Sequence, residues 1–343
     1  MWRDLPGGKQ ALDIGILFKE ARPIRRLHVY IPADVPMNAV EDLSSTLQDS
    51  ETLSAVFNDL LEVGERSSNT YEVMRGQKVI LRIVRIDAAT HLRFETLTEP
   101  DGSKGTVITF EESFLSLMRE VGDHYTRLRI PLQGDIAKLF NDEFIPRDRI
   151  FLSGFYKTDV VEFRVNERRN FGAALRARYP NMVMPTILTL QYFLVVDIGT
   201  ELVRSHAAFR KMRRLEPALW TRYLEAFGSV KPDQMVIYHW RAGGEPGKNV
   251  DDFIAFASFR AAKLNIRPYL FAILLLGAGG SALQSLGTKA LGSLGLGEDC
   301  WLIQAILIGL ILGALGGVYL WAAGGRVGVF RNGRSIFKPN AKV

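Results

Sequence analysis

The sequence predicts an α+β cytosolic domain with a mixed, largely antiparallel sheet over residues 1–267, followed by a C-terminal two-helix transmembrane hairpin. Three observations lead there. β-branched runs bounded by turn residues recur through the first two thirds of the chain. Two long charge-free stretches follow Pro268, and basic residues flank them on both outer sides. The overall composition, 47% hydrophobic and 23% charged over 343 residues, excludes a wholly disordered, collagenous or coiled-coil chain.

The elements follow in order. Arg25–Pro32 has strand composition and stops at its proline. Ala39–Gly64 carries apolar residues at helical spacing, with Asp49 or Ser50 as a cap in its middle and Gly64 at its end. Val79–Ile86 is a dense β-branched run suited to a strand covered on both faces, and residues 91–97 alternate Leu92 and Phe94 inward with Arg93 and Glu95 outward. Glu99–Gly105 has the Pro-Asp-Gly chemistry of a hairpin, so an antiparallel meander is expected from about residue 70 to 111. A helix at 111–125, a short alternating strand at 126–132 and a helix within 135–144 come next. The strand Asp159–Glu167 puts Val161, Phe163 and Val165 on one face.

Met184–Gly199 is apolar, but its uncharged interval spans only 18 residues with polar and proline breaks, which favours a buried core helix over a third span. Residues 201–228 read as helical with a break near Pro217, 234–240 as a strand, and 249–266 as an amphipathic helix bearing Phe253, Phe256 and Phe259. A division of the domain into two subdomains would fall near residue 150.

The C-terminal part is different in kind. No charged residue occurs across the 21 positions from Pro268 to Thr288, or across the 26 from Cys300 to Gly325. Each stretch is long enough to cross about 30 Å of hydrocarbon as a helix. Spans are expected at about 268–287 and 301–323, with Trp301, Tyr319 and Trp321 at belt depth. Arg260, Lys263 and Arg267 precede the first span, and the basic tail 324–343 follows the second. The positive-inside rule therefore places both termini in the cytoplasm and the protein in the inner membrane. Gly309, Gly313 and Gly317, spaced by four, form one close-packing helical face, serving either the hairpin itself or a subunit interface in a homo-oligomer.

Chemistry is sparse. The single cysteine, Cys300, excludes an intrachain disulfide and a cysteine-based zinc site, and the five histidines form no metal-ligand pair. Gly243–Asn249 lacks the first glycine and the Ser/Thr of a phosphate loop and reads as a turn. No cofactor or metal is therefore expected, and no catalytic residues are assigned. The one candidate binding surface is the run Arg210, Lys211, Arg213 and Arg214, which suits an acidic protein, a nucleotide or nucleic acid, or lipid headgroups; the competing reading is a solvated basic face.

The layout resembles that of bacterial membrane effectors of immune and abortive-infection systems, a likeness of architecture that no motif carries. The leading expectation is a membrane-anchored sensor and effector whose cytosolic domain binds a partner or phosphate-bearing ligand and whose hairpin perturbs the bilayer, as in antiviral defence. A tethered scaffold with the hairpin as plain anchor is the alternative, and a tethered enzyme with an unrecognised site is the third reading.

Overall fold

A computed structural model describes residues 1–262 except 6, 7, 145–155, 229 and 246, and beyond them only scattered positions: 277, 279–281, 284, 285, 289, 309 and 313. The chain divides into two units, one comprising Met1–Phe144 with Thr158–Ala261 and the other Ile145–Lys157 with Ala262–Val343. The first is mixed α+β and mostly strand.

Its strands are β1 (Trp2–Leu5), β2 (Lys9–Phe18), β3 (Leu27–Ile31), β4 (Glu41–Asp42), β5 (Glu62–Arg66), β6 (Thr70–Arg75), β7 (Lys78–Val84), β8 (Leu92–Thr98) and β9 (Lys104–Phe110). They continue as β10 (His124–Leu132), β11 (Asn141–Phe144), β12 (Tyr156–Val165), β13 (Thr189–Asp197), β14 (Thr200–Ser205), β15 (Lys211–Arg214), β16 (Met235–Gly243) and β17 (Phe253–Ala262). The helices are short: α1 (Ser50–Phe57), α2 (Ala88–His91), α3 (Glu112–Leu115), α4 (Asp135–Lys138), α5 (Ala173–Arg178) and α6 (Pro217–Leu224).

Ten strands form one sheet, in the order β15-β16-β13-β1-β2-β10-β7-β6-β5 with β4 beside β10. Two of its pairings, β1 with β13 and β7 with β10, are parallel, and the others are antiparallel. One face packs under α1 and α6, around Trp2, Leu53, Val195, Trp220, Tyr223 and Ile237. The opposite face is covered twice. The three-stranded sheet β3-β9-β8 closes over β2, β7 and β10 through Ile108, Phe110 and Leu128. The four-stranded sheet β11-β12-β17-β14 closes over β13 and β16 through Val161, Leu194, Trp240 and Phe259. A fully buried Leu or Phe in such a layer contributes about 1.5–3 kcal/mol relative to exposure.

Local chemistry accounts for the turns. The β8–β9 hairpin forms where expected, with Gly102 at φ 83°, a left-handed conformation open to glycine at little cost. Asp49 caps α1 by accepting from the Thr52 backbone N–H at 2.9 Å. Gly15 leaves room for the Tyr125 ring, which a Cβ there would strike.

Several expected helices are corrected. The helical spacing of 39–64 yields a 3-10 turn at Thr46–Gln48 and α1, and Gly64 lies inside β5. The expected helix at 111–125 stops after one α-turn and a 3-10 turn, because His124 and Tyr125 already belong to β10. In 135–144, α4 gives way to β11. Met184–Gly199 forms the central strand β13 rather than a core helix, its apolar run reflecting cover on both faces. Residues 201–228 are helical only over α6, the remainder supplying β14 and β15. The stretch 249–266 forms β17, where Phe253, Ala255, Ala257 and Phe259 share the buried face at period two. The meander at 70–111 is split, β6–β7 entering the large sheet and β8–β9 the three-stranded one.

Among the described residues no helix is long and apolar enough to cross a membrane. The two expected spans lie outside those residues apart from scattered positions, and the tail 324–343 lies outside them entirely.

Candidate functional site

The run Arg210, Lys211, Arg213 and Arg214 lies on and just before β15, the edge strand of the large sheet. Register pairs Lys211 with His239, Met212 with Tyr238, Arg213 with Ile237 and Arg214 with Val236. Arg210 N–H also donates to the His239 carbonyl at 2.7 Å, so two residues of the incoming chain oppose one of β16, as in a β-bulge.

Strand geometry separates the four cations. Lys211 and Arg213 share the α6 face with Ile237 and His239, while Arg214 falls on the other face with Met212. Arg213 pairs with Glu216, and Arg214 donates through Nε and Nη2 to the Asp233 carbonyl at 3.0 and 2.6 Å. Arg210 and Lys211 are exposed and enter no ion pair among the described residues.

His239 stands at the centre of what remains. Its ring stacks on Phe193 with centroids 4.4 Å apart, and its buried Nε2 has no hydrogen-bond partner among the described residues. Burial, then the positive charges of Arg210, Lys211 and Arg241, lower its pKa to about 4. The neutral ring thus sits among three cations, in an arrangement that an anion would relieve. A depression of about 300 Å³ at this edge is lined by Ile198, Thr200, Met212, Val236, Tyr238 and Arg214 of the opposite face, with Arg213 also reaching its border.

A second charged group lies in the interior of the same unit. Asp13 accepts from Trp2 Nε1 at 2.6 Å, from Arg129 Nε and Nη2 at 2.7 and 3.0 Å, and from the Tyr223 hydroxyl. Arg127 donates from Nε to Tyr223 at 2.8 Å and from Nη1 to Tyr125 at 3.0 Å. The Arg129 guanidinium also lies 4.2 Å from the Phe227 ring centroid. Burial raises the Asp13 pKa, but the Arg129 hydrogen bonds and charge, aided by Arg127 and Tyr223, outweigh it and hold the carboxyl at about 2. Both oxygens of that carboxylate accept, one bond at Oδ1 and three at Oδ2, which marks the group as a bolt between the sheet and α6.

The sequence does not point to Arg241 or to the Asp13 group, and it places His239 in a strand as a core or surface histidine. Arg241 was hidden because its strand was read as ending at Trp240. Arg127 and Arg129 alternate with Leu128 and Ile130, a pattern that shows which side chains share a face and not which face is wet. Of the close-packing glycines, Gly309 and Gly313 are exposed helical residues, and Gly317 lies outside the described residues. Among the described residues no group of three or more His, Cys, Asp or Glu side chains is placed to hold a metal ion.

Comparison with protein-family models, with curated proteins and with solved structures found no match.

Proposed function

We propose that the α+β unit is a sensor that takes a phosphate-bearing ligand or an acidic partner group on Arg210, Lys211 and Arg241 around His239. Its output is delivered at the membrane by the charge-free C-terminal segments, whose hairpin perturbs the bilayer. The observation that carries the first half is the set of cations at the sheet edge with no acidic partner among the described residues, grouped around a buried imidazole nitrogen that has no hydrogen-bond partner there either. Cations left unneutralised beside a desolvated ring repel one another, and binding an anion removes that repulsion. The second half rests on the sequence: charge-free runs of spanning length between basic flanks.

The reading is tested in two steps. Inorganic phosphate, a nucleotide and a short acidic peptide are titrated into the full chain, with the Arg210→Ala/Lys211→Ala variant alongside. Binding weakened about tenfold or more by the substitutions supports the sensor; absence of binding by all three probes removes it. Membrane potential is then followed in cells expressing the full chain and the chain truncated after Arg267. Depolarisation by the full chain alone supports the effector. If neither chain depolarises the membrane, the hairpin is a plain anchor.

A further inference from the structure

Among the described residues the large sheet ends at two edge strands, β15 and β5, and their chemistry differs. At one end β15 presents Lys-Met-Arg-Arg, preceded by Arg210; at the other β5 presents Glu-Val-Gly-Glu-Arg. Glu62 and Glu65 are exposed, and neither enters an ion pair among the described residues. Arg210 and Lys211 are in the same condition at the other end. Among the described residues, then, one sheet edge carries cations and the other carboxylates that no internal ion pair neutralises.

The main chain of β15 is available as well. The Leu215 N–H donates to the Met235 carbonyl at 3.0 Å, and antiparallel pairing alternates, so Lys211, Arg213 and Leu215 direct their N–H and C=O groups to β16. Met212 and Arg214 direct theirs outward, where no strand of the described residues pairs with them. Met212 is 54% exposed. A basic edge repels a second basic edge, which disfavours pairing of β15 with itself. It accepts an acidic strand.

We infer that the β15 edge of one copy receives the β5 edge of a second copy, continuing the sheet from molecule to molecule in a head-to-tail assembly. Such a contact is heterologous: each copy uses two different surfaces, so the assembly grows as a ring or an open row rather than stopping at a two-fold dimer. Strands of four and five residues make a small contact, so each junction is weak and the assembly depends on concentration. The inference shares Arg210 and Lys211 with the anion-sensor reading, and the β5 edge tells the two apart: Glu62→Lys/Glu65→Lys leaves the cations around His239 in place and acts on association alone.

The test uses the full chain in mild detergent, with mass measured across a concentration series. Wild type is expected to grow beyond the dimer with concentration. Arg210→Glu/Lys211→Glu places acid against acid and Glu62→Lys/Glu65→Lys places base against base, so each is expected to lower association about tenfold or more. An equimolar mixture of the two variants restores opposite charges at every junction and is expected to recover assembly, which also shows that both variants fold. A second readout captures weak junctions in native membranes. On a Cys300→Ser background, oxidation of the Met212→Cys/Arg66→Cys double variant is expected to give a ladder of crosslinked species, and either cysteine alone none. Failure of the mixture to recover assembly overturns the inference. So does a double-cysteine variant that yields no product above the single variants, or a Met212→Cys variant that dimerises alone.

Discussion

The Asp13 group and the His239 group sit on the same side of the same sheet and contain the same kinds of side chain, yet they are opposites in one respect. Around Asp13 each charge has its counter-charge or hydrogen-bond donor, and aromatic rings seal the whole. Around His239 three cations face a neutral ring, and Glu216, the acid that follows this basic run in the sequence, is taken by Arg213. A satisfied buried network holds a fold together, whereas an unsatisfied one at an edge is poised to hold something else. The difference lies in accounting for partners rather than in residue type.

That contrast can be broken from its buried side with the largest effect. Asp13→Asn keeps the shape but leaves Arg129 and Arg127 without their anion, and is expected to destabilise the unit by about 3–5 kcal/mol. Urea unfolding of the full chain measures this, and a loss below about 1 kcal/mol would show that Asp13 is no bolt. Lys211→Ala, in contrast, removes a repelling charge and is expected to leave stability unchanged within about 0.5 kcal/mol.

Acid provides a milder test. The Asp13 carboxyl titrates at about 2 in the folded chain, below the 3.8 of an unperturbed aspartate, so its contribution is complete above pH 4 and is lost as pH falls through 2. The expected loss is roughly 2 kcal/mol, and it should be absent from Asp13→Asn. His239 acts at higher pH. Its folded pKa of about 4 lies below the ordinary 6.5, so the unfolded chain binds this proton first and stability declines as pH drops from 6.5 to 4.

The smallest expected effect sharpens the other side of the comparison. Burial is the main cause of the lowered His239 pKa, with Arg210 and Lys211 adding to it. Lys211→Ala is therefore expected to raise that pKa by a few tenths of a unit while leaving it under 6.5, and saturating phosphate to raise it further, both followed by NMR titration of the ring. A His239 pKa indifferent to phosphate would place the anion elsewhere.

The parts of the fold legible beforehand were those where one face is wet. β8 opens as its sequence predicts, with Leu92 buried, Arg93 exposed and Phe94 half-buried, and the Pro-Asp-Gly turn leads into β9; Leu97, buried on the opposite face against Leu175, departs from that alternation. β13 and β17 were read as helices for a shared reason. Both are covered on one or both sides by other sheets, so alternation is diluted, and Phe253, Phe256 and Phe259 happen to fall three apart. The basic run at 210–214 was visible as charge, but its division into two faces and the employment of Arg213 and Arg214 depend on the strand it joins and on Glu216 and the Asp233 carbonyl. The Asp13 group could not be read from spacing, since its members come from residues 2, 13, 127, 129 and 223.

The parallel pairing of β1 with β13 has a consequence for the chain as it is made. β1 lies in the middle of the sheet, yet its second neighbour comes from residues 189–197, and the Met1 ammonium donates to the Phe193 carbonyl 192 positions away. At roughly 5–20 residues per second a ribosome needs on the order of ten to forty seconds to deliver that neighbour. Throughout that interval the hairpin of β1 and β2 has one open flank and an uncovered Trp2, and the large sheet cannot close. The β1–β2 hairpin is therefore open to misassociation from its synthesis until β13, nearly two hundred residues later, has been delivered.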